Sequence, residues 1–450
     1  MSHSRSEPTS PLAILRGIRG EDLALVGLMF GQFFLIITSF WILKPLKKSV
    51  LIEFYDAGGL DLWGYTFTAA EAELLAKLMN LAAALVAVVA FTLLSRRLQR
   101  HRLMIACIAV FIGGEALFAW RGADRDAFSV WTFYVFGDLF STVVVAAFYA
   151  FLNDSVDAAR AKRLYGPIGL GGVLGGAFGS MAVAAWINDL SLRAWLMICV
   201  GIGLVVIVLA LAAGRLAVRR GAEHPSPAAA EEDEAEAGNP ALEGAALVWR
   251  SRYLLAVAAI VGIYEVVSTV MDFQFTSTVA HYKDGDAIGA HLASVFAVTN
   301  AVGAAVQLLG TSWIMMRFGV GSALLVLPSM VLVGSAAFLA MPALLVGSAL
   351  NTFDNAFHYS INQSAKEALY VPRSRAEKYR AKAFIDMFVQ RAAKTLAVGM
   401  SLGMGYFFDD FAAVRWLSLV TLALVAIWVL AARHAGREFR ELEKSEGVRR

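Results

Sequence analysis

The sequence predicts an all-α polytopic membrane protein, and two observations lead to that fold class. The 450-residue chain has a mean hydropathy of +0.63, with 58% hydrophobic and only 17% charged residues. A soluble domain carries about 25% charged residues. In addition, a series of apolar stretches reaches the roughly 20 residues that a helix needs to cross a bilayer.

Twelve transmembrane helices are expected from these stretches. They cover Leu23–Leu43, Leu74–Leu94, Leu103–Trp120, Phe128–Leu152, Gly166–Ile187, Ala194–Gly214, Leu254–Ala280, Ile288–Met315, Val320–Met341, Ala343–Gln363, Ala383–Phe408 and Ala412–Ala432.

A polar segment divides the predicted helices six and six. It contains Pro225, Pro227 and the acidic run Glu231–Glu236, a composition that cannot bury a core. The expected organisation is therefore an N-terminal tail (1–22), a six-helix bundle (23–217), a cytoplasmic linker (218–250), a second six-helix bundle (251–433) and a C-terminal tail (434–450).

Basic residues follow the even-numbered helices, and this predicts the orientation. Cytoplasmic loops carry an excess of Lys and Arg, so both termini are expected in the cytoplasm of a bacterial inner membrane. No cleavable signal peptide is expected, because the start of the chain is polar and no small-residue cleavage site follows the first apolar run. The basic residues are Arg96, Arg97, Arg100 and Arg102; Arg160, Lys162 and Arg163; Arg215, Arg219 and Arg220; Arg373, Arg375, Lys378, Arg380 and Lys382; and Arg433 and Arg437.

Charged residues inside or at the ends of the apolar stretches indicate a polar cavity. An ionised group in hydrocarbon costs at least about 2.5–3.5 kcal/mol, so a repeated occurrence favours a cavity for a charged substrate. The alternative is that these groups pair with each other or reach the interface. The candidates are Lys44, Lys47, Asp138, Glu265, Asp272, Asp386, Arg391 and Lys394.

Two late helices carry polar faces. Asn355 and Tyr359 belong to a stripe in the tenth helix that recurs every three or four residues, as one helix face does. In the eleventh helix Asp386, Gln390 and Lys394 are four residues apart and are expected to share a face, with Asp386 compensating part of the lysine charge. Lys and Arg in a cavity suit phosphate or carboxylate groups.

Motifs of soluble enzymes are absent from the sequence. The glycines Gly171, Gly175 and Gly179 lie inside an apolar helix without a preceding strand, which favours close helix packing over nucleotide binding. The sequence has no Walker motif, no serine-hydrolase motif and no histidine pair with zinc spacing. We therefore expect no enzyme activity, no cofactor and no metal site, and the net charge of +3 gives no reason to expect a nucleic-acid partner.

Four segments resemble the ATP/ADP translocase family of plastids and intracellular bacteria, over roughly residues 20–435. They are Ile42-Leu-Lys44-Pro-Leu-Lys47-Lys48, Asp138-Leu-Phe-Ser with Ala161-Lys162-Arg163-Leu-Tyr165, Lys366-Glu367-Ala-Leu-Tyr370-Val-Pro372, and Lys382-Ala-Phe-Ile385-Asp386.

The resemblance implies a major-facilitator-like secondary transporter that exchanges a nucleotide or a related phosphorylated anion. Family lysines fall on Lys47 and Lys394, and a family glutamate falls on Asp138. Another family glutamate is replaced by Thr269, with Glu265 one turn earlier. Lys47 and Lys394 are expected to neutralise the phosphate from opposite halves.

Asp138 and Glu265 are expected to pair with lysines when the site is empty. The expected partners are a small anionic substrate and the lipid bilayer, and no oligomer is implied. Two alternatives stay open: a proton-coupled transporter of another organic anion, and a non-transporting sensor or scaffold.

Overall fold

A computed structural model describes residues 20, 22–62, 64–121, 126–156, 158–219, 240–370, 381–382, 384–408 and 410–448. Most of the predicted tail 1–22, much of the predicted linker 218–250 and the basic segment 371–380 lie outside these residues. The helices are α1 (Leu23–Asp56), α2 (Ala69–Arg97), α3 (Arg100–Arg121), α4 (Ala127–Ser155), α5 (Ala158–Trp186), α6 (Leu192–Arg219), α7 (Pro240–Arg250), α8 (Arg252–Tyr282), α9 (Asp286–Ala305), α10 (Ser312–Phe318), α11 (Val320–Ala340), α12 (Leu344–Phe357), α13 (Gln363–Ala368), α14 (Gln390–Phe407) and α15 (Leu417–Val448).

The helical membrane fold is confirmed. The predicted number of twelve transmembrane helices is not reproduced when helices are counted by their length and apolar composition. Among the described residues, 10 helices are long and apolar enough to cross a membrane. The tenth and eleventh predicted spans fall outside that set because their sequences are more polar. Each of them also contains a π-helical turn. These turns are His358–Asn362, between α12 and α13, and Ile385–Val389, before α14.

The first helix is longer than the apolar run that predicts it. It continues without a break through Pro45 to Asp56. Proline in a helix interior removes one backbone hydrogen bond, so this continuation depends on tertiary packing. Lys44 and Lys47 consequently project from the helix itself and not from a loop after it.

A short antiparallel hairpin follows α1. Its strands are β1 (Leu60–Leu62) and β2 (Tyr65–Phe67), with Leu60 opposite Phe67. Gly64 in the turn has a φ of 81°, a conformation that favours glycine. The hairpin was not expected from the sequence.

The glycine stripe of α5 lies directly against the backbone of α1, which confirms the helix-packing interpretation. A Cβ built on Gly175 would lie 2.2 Å from the carbonyl oxygen of Phe34. Cβ atoms at Gly171 and Gly179 would meet the carbonyl oxygens of Phe30 and Thr38 at 2.6 Å. Small residues spaced four apart allow helix backbones to approach this closely.

The described chain forms two compact units. The first comprises residues 1–54 and 79–232, and the second comprises residues 55–78 and 233–450. The core of the second unit is built around α8, with Tyr253 and Trp428 among its largest fully buried side chains. Two segments lie differently from the predicted organisation: Pro240–Arg250, in the predicted linker, is helical, and α15 continues through most of the predicted C-terminal tail.

Candidate functional site

The first unit holds an ion pair between Lys47 of α1 and Asp138 of α4. Lys47 is 5% exposed, and its ammonium nitrogen lies 4.6 Å from the centre of the Tyr134 ring. Gly137 makes room for the lysine, since a Cβ there would lie 2.9 Å from Cδ of Lys47. Two predicted site residues are thus brought together, and the carboxylate and the aromatic ring hold the ammonium group in place.

Lys44 lies one turn before Lys47 and contacts aromatic rings. Its Nζ lies 4.3 Å from the centre of the Trp41 ring and 5.9 Å from that of Phe40. A cation over an aromatic face is attracted by the ring quadrupole. The two predicted lysines of α1 therefore have different surroundings: a carboxylate and a tyrosine ring for Lys47, and aromatic rings for Lys44.

In the second unit, one face of α8 carries Glu265, Ser268 and Asp272. Glu265 accepts a hydrogen bond from the side-chain amide of Gln390. This corrects the expectation of a lysine partner for Glu265 among the described residues. Ser268 donates to Asp354 of α12 at 2.6 Å. The spacing of seven residues places all three side chains within two turns of one helix face.

Asp272 belongs to a charge cluster that was not predicted from the sequence. Lys77 of α2 forms ion pairs with Asp272 and with Glu73, the latter at 2.7 Å. Asn351 of α12 donates to the other oxygen of Asp272 at 3.3 Å. Lys77 and Glu73 both lie in the portion of α2 that belongs to the second unit.

The signal for this cluster was present in the sequence. Lys77 is a lysine inside the second predicted span, the same kind of feature that singled out Lys47 and Lys394. Its partner Asp272 could not be predicted, because it lies 195 residues away along the chain, whereas Glu73 lies only four residues before Lys77.

Asp386 does not compensate the charge of Lys394 as expected. The lysines that act electrostatically on Asp386 are Lys366 and Lys382, among the described residues. Asp386 lies in the π-helical turn Ile385–Val389, so the four-residue spacing to Gln390 and Lys394 is not that of a regular α-helix. Turns of this kind occur frequently at functional sites.

Arg391 and Lys394 of α14 are partly exposed cations, and neither forms an ion pair with a described residue. They are three residues apart, so they lie near each other on the helix. In contrast, Lys382 is paired with both carboxylate oxygens of Glu367, at 2.7 and 2.6 Å. Arg391 and Lys394 are therefore available to an anion in a way that Lys382 is not.

Two predicted site residues lie on the helical run through α12. Asn355 donates its side-chain amide to the carbonyl oxygen of Asn351 at 3.0 Å. Tyr359 is 59% exposed. On the same helical run, Asp354 and Asn351 form hydrogen bonds with Ser268 and Asp272 of α8. The polar face predicted for this helix therefore faces the acidic face of α8.

A cavity of about 630 Å³ lies in the second unit beside the β-hairpin. Its charged lining residues are the carboxylates Asp56, Glu71 and Asp410, and no lysine or arginine of the described chain lines it. An acidic cavity repels phosphate, so this cavity is not suited to an anionic substrate.

Two protein families have models that match this chain. The family model of the Major Facilitator Superfamily matches residues 23–379, and that of the TLC ATP/ADP transporter matches residues 340–439. The second match contains Arg391 and Lys394. The resemblance to ATP/ADP translocases is thereby confirmed.

Curated relatives carry corresponding names. ADP,ATP carrier protein 1, chloroplastic, of Arabidopsis thaliana is 22% identical over 355 residues, which cover 70% of this chain and 56% of the relative. The chain thus matches little more than half the length of this plastid relative. ADP,ATP carrier protein 2 of Chlamydia trachomatis serovar D is 22% identical, with 94% of this chain and 89% of the relative covered.

A solved structure shares the fold. The nucleoside transporter NupG has 13% sequence identity and a TM-score of 0.62, with 92% of this chain and 100% of that chain covered. At this identity the likeness concerns the fold alone. Because the superfamily model matches most of the chain, the protein belongs to the Major Facilitator Superfamily.

Proposed function

We propose that this protein is a secondary transporter that exchanges a nucleotide, or a related phosphorylated anion, across the membrane. The observation that carries the proposal is the match of residues 340–439 to the ATP/ADP transporter family, together with the cations Arg391 and Lys394 inside that segment. The names of the plastid and chlamydial relatives support the same substrate class.

Lys47 is the proposed phosphate ligand of the first unit. In the structure its charge is balanced by Asp138. An anionic substrate would compete with Asp138 for the ammonium group, and the ion pair would re-form after release. A ligand shifts a conformational equilibrium when it binds one conformation more tightly than another. Replacement of Asp138 by the substrate as the anion beside Lys47 would supply such a difference in affinity.

Arg391 and Lys394 are the proposed phosphate ligands of the second unit. A phosphate carries close to two negative charges at neutral pH, so one lysine leaves it under-compensated. Arg can bind two oxygens with its planar fork, whereas Lys acts as a point charge. Lys44, Asn355 and Tyr359 are proposed to contact the same substrate, and Glu265 and Asp386 to tune the nearby charge.

We propose the bacterial inner membrane as the location, with both termini in the cytoplasm. The support is the excess of Lys and Arg after the even-numbered predicted spans.

Ligand-induced thermal stabilisation of the purified protein tests the substrate class. The panel comprises ATP, ADP, sugar phosphates and organic acids. A ligand at 100 times its dissociation constant stabilises the protein by about 2.7 kcal/mol. The proposal expects stabilisation by ATP or ADP and none by the organic acids, whereas stabilisation by organic acids alone would contradict it.

A second candidate function is proton-coupled transport of an organic anion. The observation in its favour is Glu115, a carboxyl group buried in α3 of the first unit.

A further inference from the structure

Glu115 lies in the middle of α3 and is enclosed by apolar side chains. It is 2% exposed, and its Oε1 has no hydrogen-bond partner among the described residues. The cavity beside it has a volume of about 10 Å³, close to the space that a single water requires. Its apolar lining includes Ile36, Phe111, Phe140, Val144, Ile202 and Val206.

No cation faces this carboxyl group in the described structure. The lining contributes Ile36 and Ser39 from α1, Phe140 and Val144 from α4, and Cys199 with apolar residues from α6. Cys199 is the other titratable group that lines the cavity, and Ser39 lines it as well. An ionised carboxylate here would have neither a counter-ion nor a sufficient set of donors.

Glu115 therefore differs from Asp138, Asp272 and Glu265, three other carboxylates of the described membrane helices. Asp138 has Lys47, Asp272 has Lys77, and Glu265 has the amide of Gln390. An isolated charge in an apolar environment is far more costly than its neutral form, so such a group binds a proton instead. In this environment a proton is what stabilises Glu115.

The helix that carries Glu115 contacts the helix that carries Asp138. The ring of Phe111 on α3 lies 5.2 Å from that of Phe140 on α4, and Phe118 lies 5.4 Å from Phe136. A Cβ at Gly114 would lie 2.3 Å from the Phe136 ring, so this part of the interface is tightly packed. Ionisation of Glu115 would require water or a donor beside the carboxyl group, and α4 is one of the helices that enclose it. Glu115 thus lies against the helix that carries Asp138.

We infer that Glu115 is a proton-binding site of the transport cycle. The carboxyl group holds a proton in the conformation seen here, and its O–H bond breaks when water reaches the cavity in another conformation. The proton passes to that water, and the carboxylate remains until the cavity closes again with a new proton. No oxidation or reduction accompanies the step. The link to substrate movement rests on the proposed function, whereas the proton site itself does not.

Infrared difference spectroscopy on the purified protein tests the site without any substrate. A protonated carboxyl group has a C=O band that shifts in D₂O. We expect such a band in the wild-type protein and its loss in the Glu115→Gln variant. The Glu115→Asp variant keeps a carboxyl group and should retain a band. Glu441→Gln, at an exposed acid of α15, is the matched control and should leave the band unchanged.

Proton movement on addition of ATP or ADP is then measured with a pH-sensitive dye in weakly buffered solution. The wild-type protein and the Glu441→Gln variant should give a signal, and Glu115→Gln should give none.

Two outcomes would overturn the inference. One is a carboxyl band of full size in Glu115→Gln, which would place the proton on another acid. The other is a dye signal and a pH dependence of uptake in Glu115→Gln equal to those of the wild type, which would leave Glu115 a permanently neutral structural group. If the band behaves as expected but no nucleotide is exchanged by any variant, the proton site stands and the proposed substrate is wrong.

Discussion

Lys77 and Asp272 form an ion pair in the second unit, and Glu73 adds a second carboxylate to the same ammonium group. Glu73 is 1% exposed and Lys77 is largely buried. One cation is thus shared by two anions in a place where water has little access. The arrangement joins the start of α2 to the middle of α8, and its contribution to stability depends on all three members being present.

Lys77→Met is expected to destabilise the protein strongly. Removal of one partner of a buried ion pair typically costs about 3–5 kcal/mol, because the remaining charge is left uncompensated. Thermal unfolding of the purified protein in detergent measures the effect. Addition of Asp272→Asn to Lys77→Met should recover part of the lost stability.

Lys382→Met is the matched control for this prediction. Its pair with Glu367 is 31% and 39% exposed, and exposed pairs contribute about 0–1 kcal/mol. If Lys382→Met destabilises the protein as much as Lys77→Met does, the buried Lys77 cluster does not contribute more to stability than an exposed ion pair, and the prediction is wrong.

Gly175→Ala is expected to destabilise the contact between α1 and α5. The new Cβ would lie 2.2 Å from the carbonyl oxygen of Phe34, which belongs to the backbone and cannot move aside as a flexible side chain can. Overpacking typically costs about 1–3 kcal/mol. Gly169→Ala on the same helix is the control, since no atom lies within 4 Å of its Cβ position. Equal melting temperatures for the two variants would show that the helices are not in close contact.

Lys47→Ala and Lys394→Ala are each expected to weaken nucleotide binding. Hydrogen bonds to charged groups are worth about 1.5–3 kcal/mol, which corresponds to a loss of roughly ten- to a hundredfold in affinity. Titration calorimetry on the purified variants measures the loss. Arg317→Ala, which removes an exposed cation at the end of α10, should bind as the wild type does.

A variant of Asp138, the ion-pair partner of Lys47, provides a second test of Lys47 as a phosphate ligand. Asp138→Asn releases Lys47 from its counter-ion. We expect tighter nucleotide binding in Asp138→Asn, since the substrate no longer competes with a carboxylate. Weaker binding in Asp138→Asn, together with unchanged binding in Lys47→Ala, would exclude Lys47 as a phosphate ligand.

The features predicted correctly are those that short-range spacing determines. Glycines at 171, 175 and 179 lie on one helix face whatever the rest of the fold does, and a backbone carbonyl can approach such a face. The Lys47–Asp138 pair was expected on a different ground: a charge in or beside an apolar run requires a partner, and these two residues are partners in the structure.

The features that were missed depend on tertiary contacts or on irregular helix geometry. The expected pairing of Asp386 with Lys394 assumed a regular α-helix, and the π-helical turn at Ile385–Val389 removes that assumption. Apolar periodicity gives no indication of such a turn. Glu115 and Lys77 are titratable residues inside apolar runs, as the predicted site residues are. Their neighbours come from distant parts of the chain, so their environments could not be predicted.

Counter-exchange in proteoliposomes tests the central claim most directly. Purified protein is reconstituted into vesicles, which are loaded with ADP or left without nucleotide, and labelled ATP is added outside. We expect rapid uptake of label into ADP-loaded vesicles, little uptake into empty ones, and competition by unlabelled external ATP. Uptake that is the same with and without internal ADP would contradict exchange, and no uptake in either case by a protein that is folded would contradict nucleotide transport altogether.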